Sequence, residues 1–203
     1  MGKLFKNVEK YLIDVDKTSI FVEIGSCNYE GSTEYFAELA NKRSTKFISV
    51  DINPKISVRY KHSGDYSTEI VNAITFDIGI GSIWAKNKFP EYNKLIGCLY
   101  LDNYDYNWDV DNIHPMYTEI KSDEKYKNLG IEINNLDCQV EHLSQMILLM
   151  QYMTKISVIV CDDTYKINDC YIGKCGAVIP YLILNGYKIM EESRNDGIIL
   201  KRE

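Results

Sequence analysis

The sequence has no apolar stretch long enough to cross a membrane. Its purest apolar run, MILLM at 146–150, falls far short of the roughly 18–20 residues a spanning helix needs. It has no surplus of positive charge either: 23 Lys and Arg stand against 29 Asp and Glu, a formal charge of -6. That balance weighs against a broad nucleic-acid-binding surface. Six cysteines are present without one CxxC pair, the nearest two being Cys170 and Cys175. Neither a zinc site nor a disulfide scaffold is expected from that spacing. Cys98 and Cys161 sit inside apolar, strand-like runs, so buried reduced thiols and a cytoplasmic location are the expectation. Charges interrupt the opening MGKLFKNVEKYLIDVDKTS throughout, and no small-residue cleavage site follows, so it does not read as a secretion signal. Lys6 stands where a myristoylation signal needs Ser or Thr. Internal repeats, low-complexity tracts and a GxGxxG fingerprint are all missing.

What is present is the material of one globular domain spanning 1–203. A chain of 203 residues buries about 70% of its unfolded surface and folds without a metal or disulfide staple. Leu4, Val8, Tyr11, Leu12 and Val15 share a helical stripe, predicting an amphipathic helix over about 3–15. Strands are expected at SIFVEIG, FISVDINP, IVNAITFD, IGCLYLDN and ISVIVCDD. Helices are expected at STEYFAELANKR, at VEHLSQMILLMQYMTK and at AVIPYLILNGY, the last capped by Gly186. KIMEES and GIILKR form a terminal hairpin through Arg194, Asn195 and Asp196. Continuous apolar strands alternating with helices predict an α/β fold: a Rossmann-like, doubly wound, mostly parallel seven-stranded sheet ending in an antiparallel hairpin. The stretch 104–139, long, polar and rich in Asp and Tyr, reads as a lid-like insertion.

The polar residues carry the functional signal. Glu23, Asp51, Asp102, Asp162 and Asp163 all fall at predicted strand C-termini. Right-handed crossovers bring those ends to one edge, where open sheets bind ligands. In FVEIGSCNYEGST, Gly25 allows close approach to the backbone, and the helix start at Gly31, Ser32 and Thr33 suits a carboxylate. Glu23 suits a cationic amino group, and Asp51, ending the next strand, suits ribose hydroxyls. Together they fit a nucleoside with an amino-acid tail better than a pyrophosphate dinucleotide, which Glu23 would repel.

These segments resemble the class I S-adenosylmethionine-dependent methyltransferases over about 18–203. FVEIGSCNYEGST is similar to that family's first motif, with Gly25, Ser26, Gly31, Ser32 and Thr33 on the cofactor. SVDINP is similar to the second, with Asp51 as the ribose acid. FDIGIGS resembles the adenine-lining region and implies Asp77 and Ser82. The turn from Gly25 to Gly31 is longer than usual, with Tyr29 or Glu30 where another glycine is common. LYLDNYDY, ISVIVCDDT and GKCGAVIPYL resemble segments of the macrocin O-methyltransferase-like small-molecule group. That resemblance implies a divalent cation such as Mg²⁺ on Asp102, Asp162 and Asp163, with Asp102 also beside the cofactor; hard carboxylates suit such an ion. Tyr104 and Asp105 depart from the group's Asp-His order.

A hydroxyl acceptor needs a general base, for which His142 and Asp105 are the candidates. Lys174 contacts an acidic substrate or caps its loop. Tyr100, Tyr104, Tyr106, Tyr117 and Trp108 supply surfaces on which a sugar or aromatic acceptor can stack. His62 and His114 read as surface residues. The 16 tyrosines, with many Lys, Asn and Ile, mainly mark an AT-rich genome. The expected activity is methyl transfer to a hydroxyl of a small molecule or sugar. Its partner is that acceptor, not a membrane or nucleic acid, and a homo-oligomer is compatible with the sequence. The rivals are a non-catalytic methyltransferase-like binding protein and a nucleotide-dependent oxidoreductase.

Overall fold

A computed structural model describes residues 4–26, 31–57, 60, 68–103, 106, 134–194 and 196–202. The seven-stranded sheet comprises β1 (Ile20–Ile24), β2 (Phe47–Asp51), β3 (Ile74–Ile78), β4 (Ile96–Leu101), β5 (Met153–Asp162), β8 (Tyr187–Ser193) and β9 (Gly197–Arg202). Their order is β3-β2-β1-β4-β5-β9-β8. The first five strands run parallel, while β9 pairs antiparallel with both β5 and β8. This is the expected fold class, with the terminal hairpin in place.

Side chains alternate across each strand, and the alternation separates two cores. Ile20, Val22 and Ile24 of β1 join Leu99, Leu101, Ile159 and Cys161 on one face. That face is covered by α3 (Gly81–Asn87), α4 (Asn135–Leu149) and α5 (Val178–Leu184). Phe21, Cys98, Tyr100, Val158 and Val160 point the other way, toward α1 (Ser32–Lys42) and the N-terminal Leu4–Tyr11 segment. Helix α4 starts where Asn134 accepts a bond from the Asp137 N–H at 2.8 Å, an ordinary N-cap. Helix α5 ends before Gly186, whose φ of +84 suits a residue without a side chain.

Several elements differ from the sequence-based expectation. The N-terminal stripe forms a 3₁₀ helix over Leu4–Tyr11, not a longer α-helix over 3–15. It still buries Leu4, Phe5 and Val8. The third strand begins at Ile74, because Thr68–Ala73 forms a short helix, α2. The last residues of 104–139 belong to α4, and most of the remaining stretch lies outside the described residues. An unanticipated hairpin, β6 (Thr164–Ile167) with β7 (Cys170–Gly173), follows β5. Cys98, Cys138, Cys161 and Cys175 are buried free thiols, whereas Cys170 is exposed. No helix among the described residues is long and apolar enough to cross a membrane.

Candidate functional site

The parallel strands β1, β2, β4 and β5 deliver their C-terminal acids to one edge of the sheet. Its first half is built around Glu23, which alternation turns to the α1 side of β1. Glu23 is fully buried and receives three hydroxyl bonds: Ser32 at 2.8 Å, Thr33 at 2.7 Å and Ser49 at 2.5 Å. Burial pushes its pKa up to about 8, against the opposing pull of those hydroxyls. The expected place beside a cationic amino group is therefore filled by protein. Glu23 fastens the first turn of α1 to β1 and β2. Gly31 precedes that turn with a φ of +84.

Gly25 has a φ of +99, and a Cβ there would lie 2.4 Å from the Asn103 nitrogen and 2.5 Å from the Asp102 carbonyl oxygen. The close approach that requires glycine is thus made by the end of β4. It draws the two halves of the edge together. Asp51 ends β2 with both oxygens engaged by backbone donors: the Ser26 N–H at 3.1 Å and the Asn53 N–H at 2.6 Å. The Ser26 and Ser49 hydroxyls stand 2.7 Å apart, linking Asp51 to the Glu23 network.

Along the flank, Asp77 accepts bonds from the Trp84 indole at 2.7 Å and the Tyr92 hydroxyl at 2.6 Å, tying β3 to the segment after it. Ser82 donates through its backbone N–H and its hydroxyl to the two oxygens of Glu141, each at 2.7 Å. Gln145 continues the chain, donating to Glu141 at 2.8 Å and to Asn103 at 2.9 Å. Glu141, Gln145 and Asn103 were not anticipated. The i, i+4 spacing of Glu141 and Gln145 within a helix entering the site is the signal that could have found the first two.

The second half of the edge is ionic. Oxygens of Asp102, Asp162 and Asp163 lie within 4.8 Å of one another. The Lys174 ammonium sits among them, 2.6 Å from Asp102 Oδ1 and 3.0 Å from Asp163 Oδ2. Tyr100 adds a weak bond to Asp102 Oδ2 at 3.3 Å. Burial raises the Asp102 pKa, and Lys174 pulls it back. Burial raises that of Asp162 far more, reinforced by the charges of Asp102 and Asp163. Asp162 is thus the acid of the three whose ionised form is most disfavoured by its surroundings.

The unanticipated hairpin delivers Lys174. Asp163, with a φ of +43, turns the chain out of β5. Thr164 donates its hydroxyl to the Asp162 carbonyl and accepts from the Cys175 N–H. The hairpin turn has Asn168 and Asp169 both at positive φ, between TYKI and CYIG. That two-residue pattern is the sequence signal that could have revealed it.

Three carboxylates at this spacing suit a divalent ion, but Lys174 already bonds two of them. An ion bound by all three would have to displace its ammonium. The donor set as it stands fits an amine, not Mg²⁺.

His142 is fully buried on α4, its Nδ1–H donated to the Cys138 carbonyl at 2.8 Å. Burial lowers its pKa to about 4, leaving a neutral ring. Its Nε2 has no partner among the described residues. Tyr100, expected to stack on an acceptor, is a core residue packed against Phe5 and Phe36. Tyr106 is also buried, against Cys138 and Tyr165. Asp105, Tyr104, Trp108, Tyr117, His62 and His114 lie outside the described residues.

No protein-family model and no curated protein sequence matches the chain. Solved structures do match it in shape. The calicheamicin-biosynthesis enzyme CalS11, a TDP-rhamnose 3'-O-methyltransferase, aligns with a TM-score of 0.57 at 12% identity, over 97% of this chain and 76% of that one. A putative rRNA methylase from Clostridium thermocellum aligns with a TM-score of 0.53 at 9% identity, over 98% and 95%. The glycopeptide N-methyltransferase MtfA gives 0.54 at 7% identity, over 97% and 87%. The chain has the Rossmann-like fold that these methyltransferases share.

Proposed function

We propose that this protein is an S-adenosylmethionine-dependent methyltransferase acting on a hydroxyl of a small molecule or sugar. The observation that carries the reading is the convergence of Asp51, Asp102 and Asp162 on one edge of a sheet ordered β3-β2-β1-β4-β5-β9-β8. Ligands of open parallel sheets bind outside those strand ends. In this reading Asp51, oriented by the Ser26 and Asn53 N–H groups, meets the ribose hydroxyls. Gly25, Ser26, Gly31, Ser32 and Thr33 frame the amino-acid tail, and Glu23 acts beneath them as a positioning residue. Asp77 and Ser82 border the adenine side, with Asp102 at the centre. That CalS11 is a sugar O-methyltransferase supports an oxygen acceptor.

The cofactor supplies an electrophilic methyl on a sulfonium. The protein's part is to align the acceptor oxygen in line with the carbon–sulfur bond and to exclude water. A hydroxyl that took the methyl would give up its proton, so the chain must hold a base near that oxygen. Neutral His142, its Nδ1–H already donated, offers Nε2 for that proton. Calorimetry with S-adenosylmethionine, its demethylated product and NAD tests the reading. Both sulfur ligands should bind one per chain, and Asp51→Ala should weaken them about 10–100-fold through lost charge-assisted bonds. Absence of heat with either sulfur ligand, or binding of NAD alone, would overturn it.

A further inference from the structure

Lys174 is placed by rigid backbone, unlike a flexible surface lysine. Gly173, the residue before it, has a φ of +96, and a Cβ there would lie 1.9 Å from the Asp163 carbonyl oxygen. The Lys174 N–H bonds that same carbonyl at 3.2 Å, and the next N–H, of Cys175, bonds Thr164 Oγ1 at 2.9 Å. Two consecutive backbone groups thus lock the lysine against the end of β5. Its side chain is only 9% exposed, and its ammonium bridges the end of β4 to the end of β5.

We propose that the Lys174 ammonium is the resident cation of the Asp102–Asp162–Asp163 cluster, taking the place a divalent ion would hold, so that this edge of the sheet works without a divalent metal. Mg²⁺ demands oxygens at about 2.0–2.1 Å in octahedral array. An ammonium 2.6 Å from Asp102 Oδ1 occupies the space and the acceptor direction such an ion needs. Lys174 acts through Asp102 and Asp163, as a positioning residue, fixing the separation of two strand ends that face the acceptor. The catalytic part of this inference rests on the methyltransferase reading above. The exchange of cations does not, and it is tested without turnover.

The probe is Mn²⁺, followed by electron paramagnetic resonance on the full chain. Wild-type protein should take up no stoichiometric Mn²⁺ at about 1 mM, whereas folded Lys174→Met should bind one per chain at least about tenfold more tightly. Adding Asp163→Asn to that variant should remove the new site. Lys174→Gln, neutral and of similar length, serves as a second variant should Lys174→Met fail to fold. One Mn²⁺ per chain on wild-type protein below 1 mM overturns the proposal, as does a folded lysine variant that binds no better than wild type. If neither variant folds, the wild-type titration decides alone. Failure to bind S-adenosylmethionine would sink the methyltransferase reading and leave the Mn²⁺ result standing. Where turnover is measured, EDTA should leave the wild-type rate unchanged.

Discussion

At the ends of β1 and β2, the buried acid Glu23 is surrounded by neutral donors, the hydroxyls of Ser32, Thr33 and Ser49. At the ends of β4 and β5, further along the same edge, three acids share one ammonium, which bonds Asp102 and Asp163, while burial raises the pKa of Asp162. Both arrangements place carboxyl groups out of water, but they solve the charge differently. Hydroxyls solvate either form of an acid, so Glu23 is free to keep its proton up to about pH 8. An ammonium stabilises only the ionised form, so Asp102 and Lys174 depend on each other. The first half is a neutral scaffold under the turn, while the second is a charged pair whose members cannot be changed singly.

Breaking the ionic half should cost most. Lys174→Met leaves Asp102 and Asp163 without their cation, and denaturant unfolding at pH 7 should show a loss of about 3 kcal/mol. Adding Asp102→Asn should recover a substantial part, since an unpaired buried charge causes most of the loss. Equal stability of single and double variants would mean the pair is not coupled.

The neutral half should announce itself in pH dependence. Between its unfolded value near 4.5 and its folded value of about 8, Glu23 holds a proton in the folded protein that the unfolded chain has released. Stability therefore falls as pH rises through that window. His142, lowered to about 4 from 6.5, has the opposite sign and stops contributing above pH 6.5. From pH 6.5 to 8 Glu23's own share of the decline should amount to about 2 kcal/mol, alongside that of buried Asp162, whose pKa is also raised. Glu23→Gln, a mimic of the neutral acid, should make that limb shallower by Glu23's share; an unchanged slope would show that Glu23 is ionised throughout.

The smallest effect is expected from one hydroxyl. Ser49→Ala should cost about 1 kcal/mol. Because the Ser49 bond lowers the Glu23 pKa, its loss should also move the declining limb to higher pH. A shift toward lower pH would contradict that sign.

The neutral half was easier to read from the sequence than the ionic one. Strand, Gly25 and Gly31–Ser32–Thr33 are local in FVEIGSCNYEGST, so the turn and helix start were visible together. What was not visible was the recipient of the hydroxyls, because Glu23 meets Ser32, Thr33 and Ser49 only when β1, β2 and α1 pack. Asp102, Asp162 and Asp163 were identifiable as strand-end acids. Their partner was not, because Lys174 is 72 residues from Asp102 and reaches it by way of a hairpin. Tyr100 shows the reverse error: a tyrosine beside a strand-end acid resembles a binding surface, yet alternation along β4 turns it into the core with Phe5 and Phe36.

The parallel sheet with its antiparallel end, and the acids at the strand termini, could be read along the chain. Apolar runs, helical periodicity and the alternation of strands with helices are read along the chain without knowing which residues meet. What neutralises each acid is set by packing. That depends on which hydroxyl or ammonium is carried into hydrogen-bonding reach, and at Lys174 on a glycine, a left-handed aspartate and a two-residue turn acting in concert. The same residue type, aspartate or glutamate at a strand end, became a scaffold in one half and an ion pair in the other.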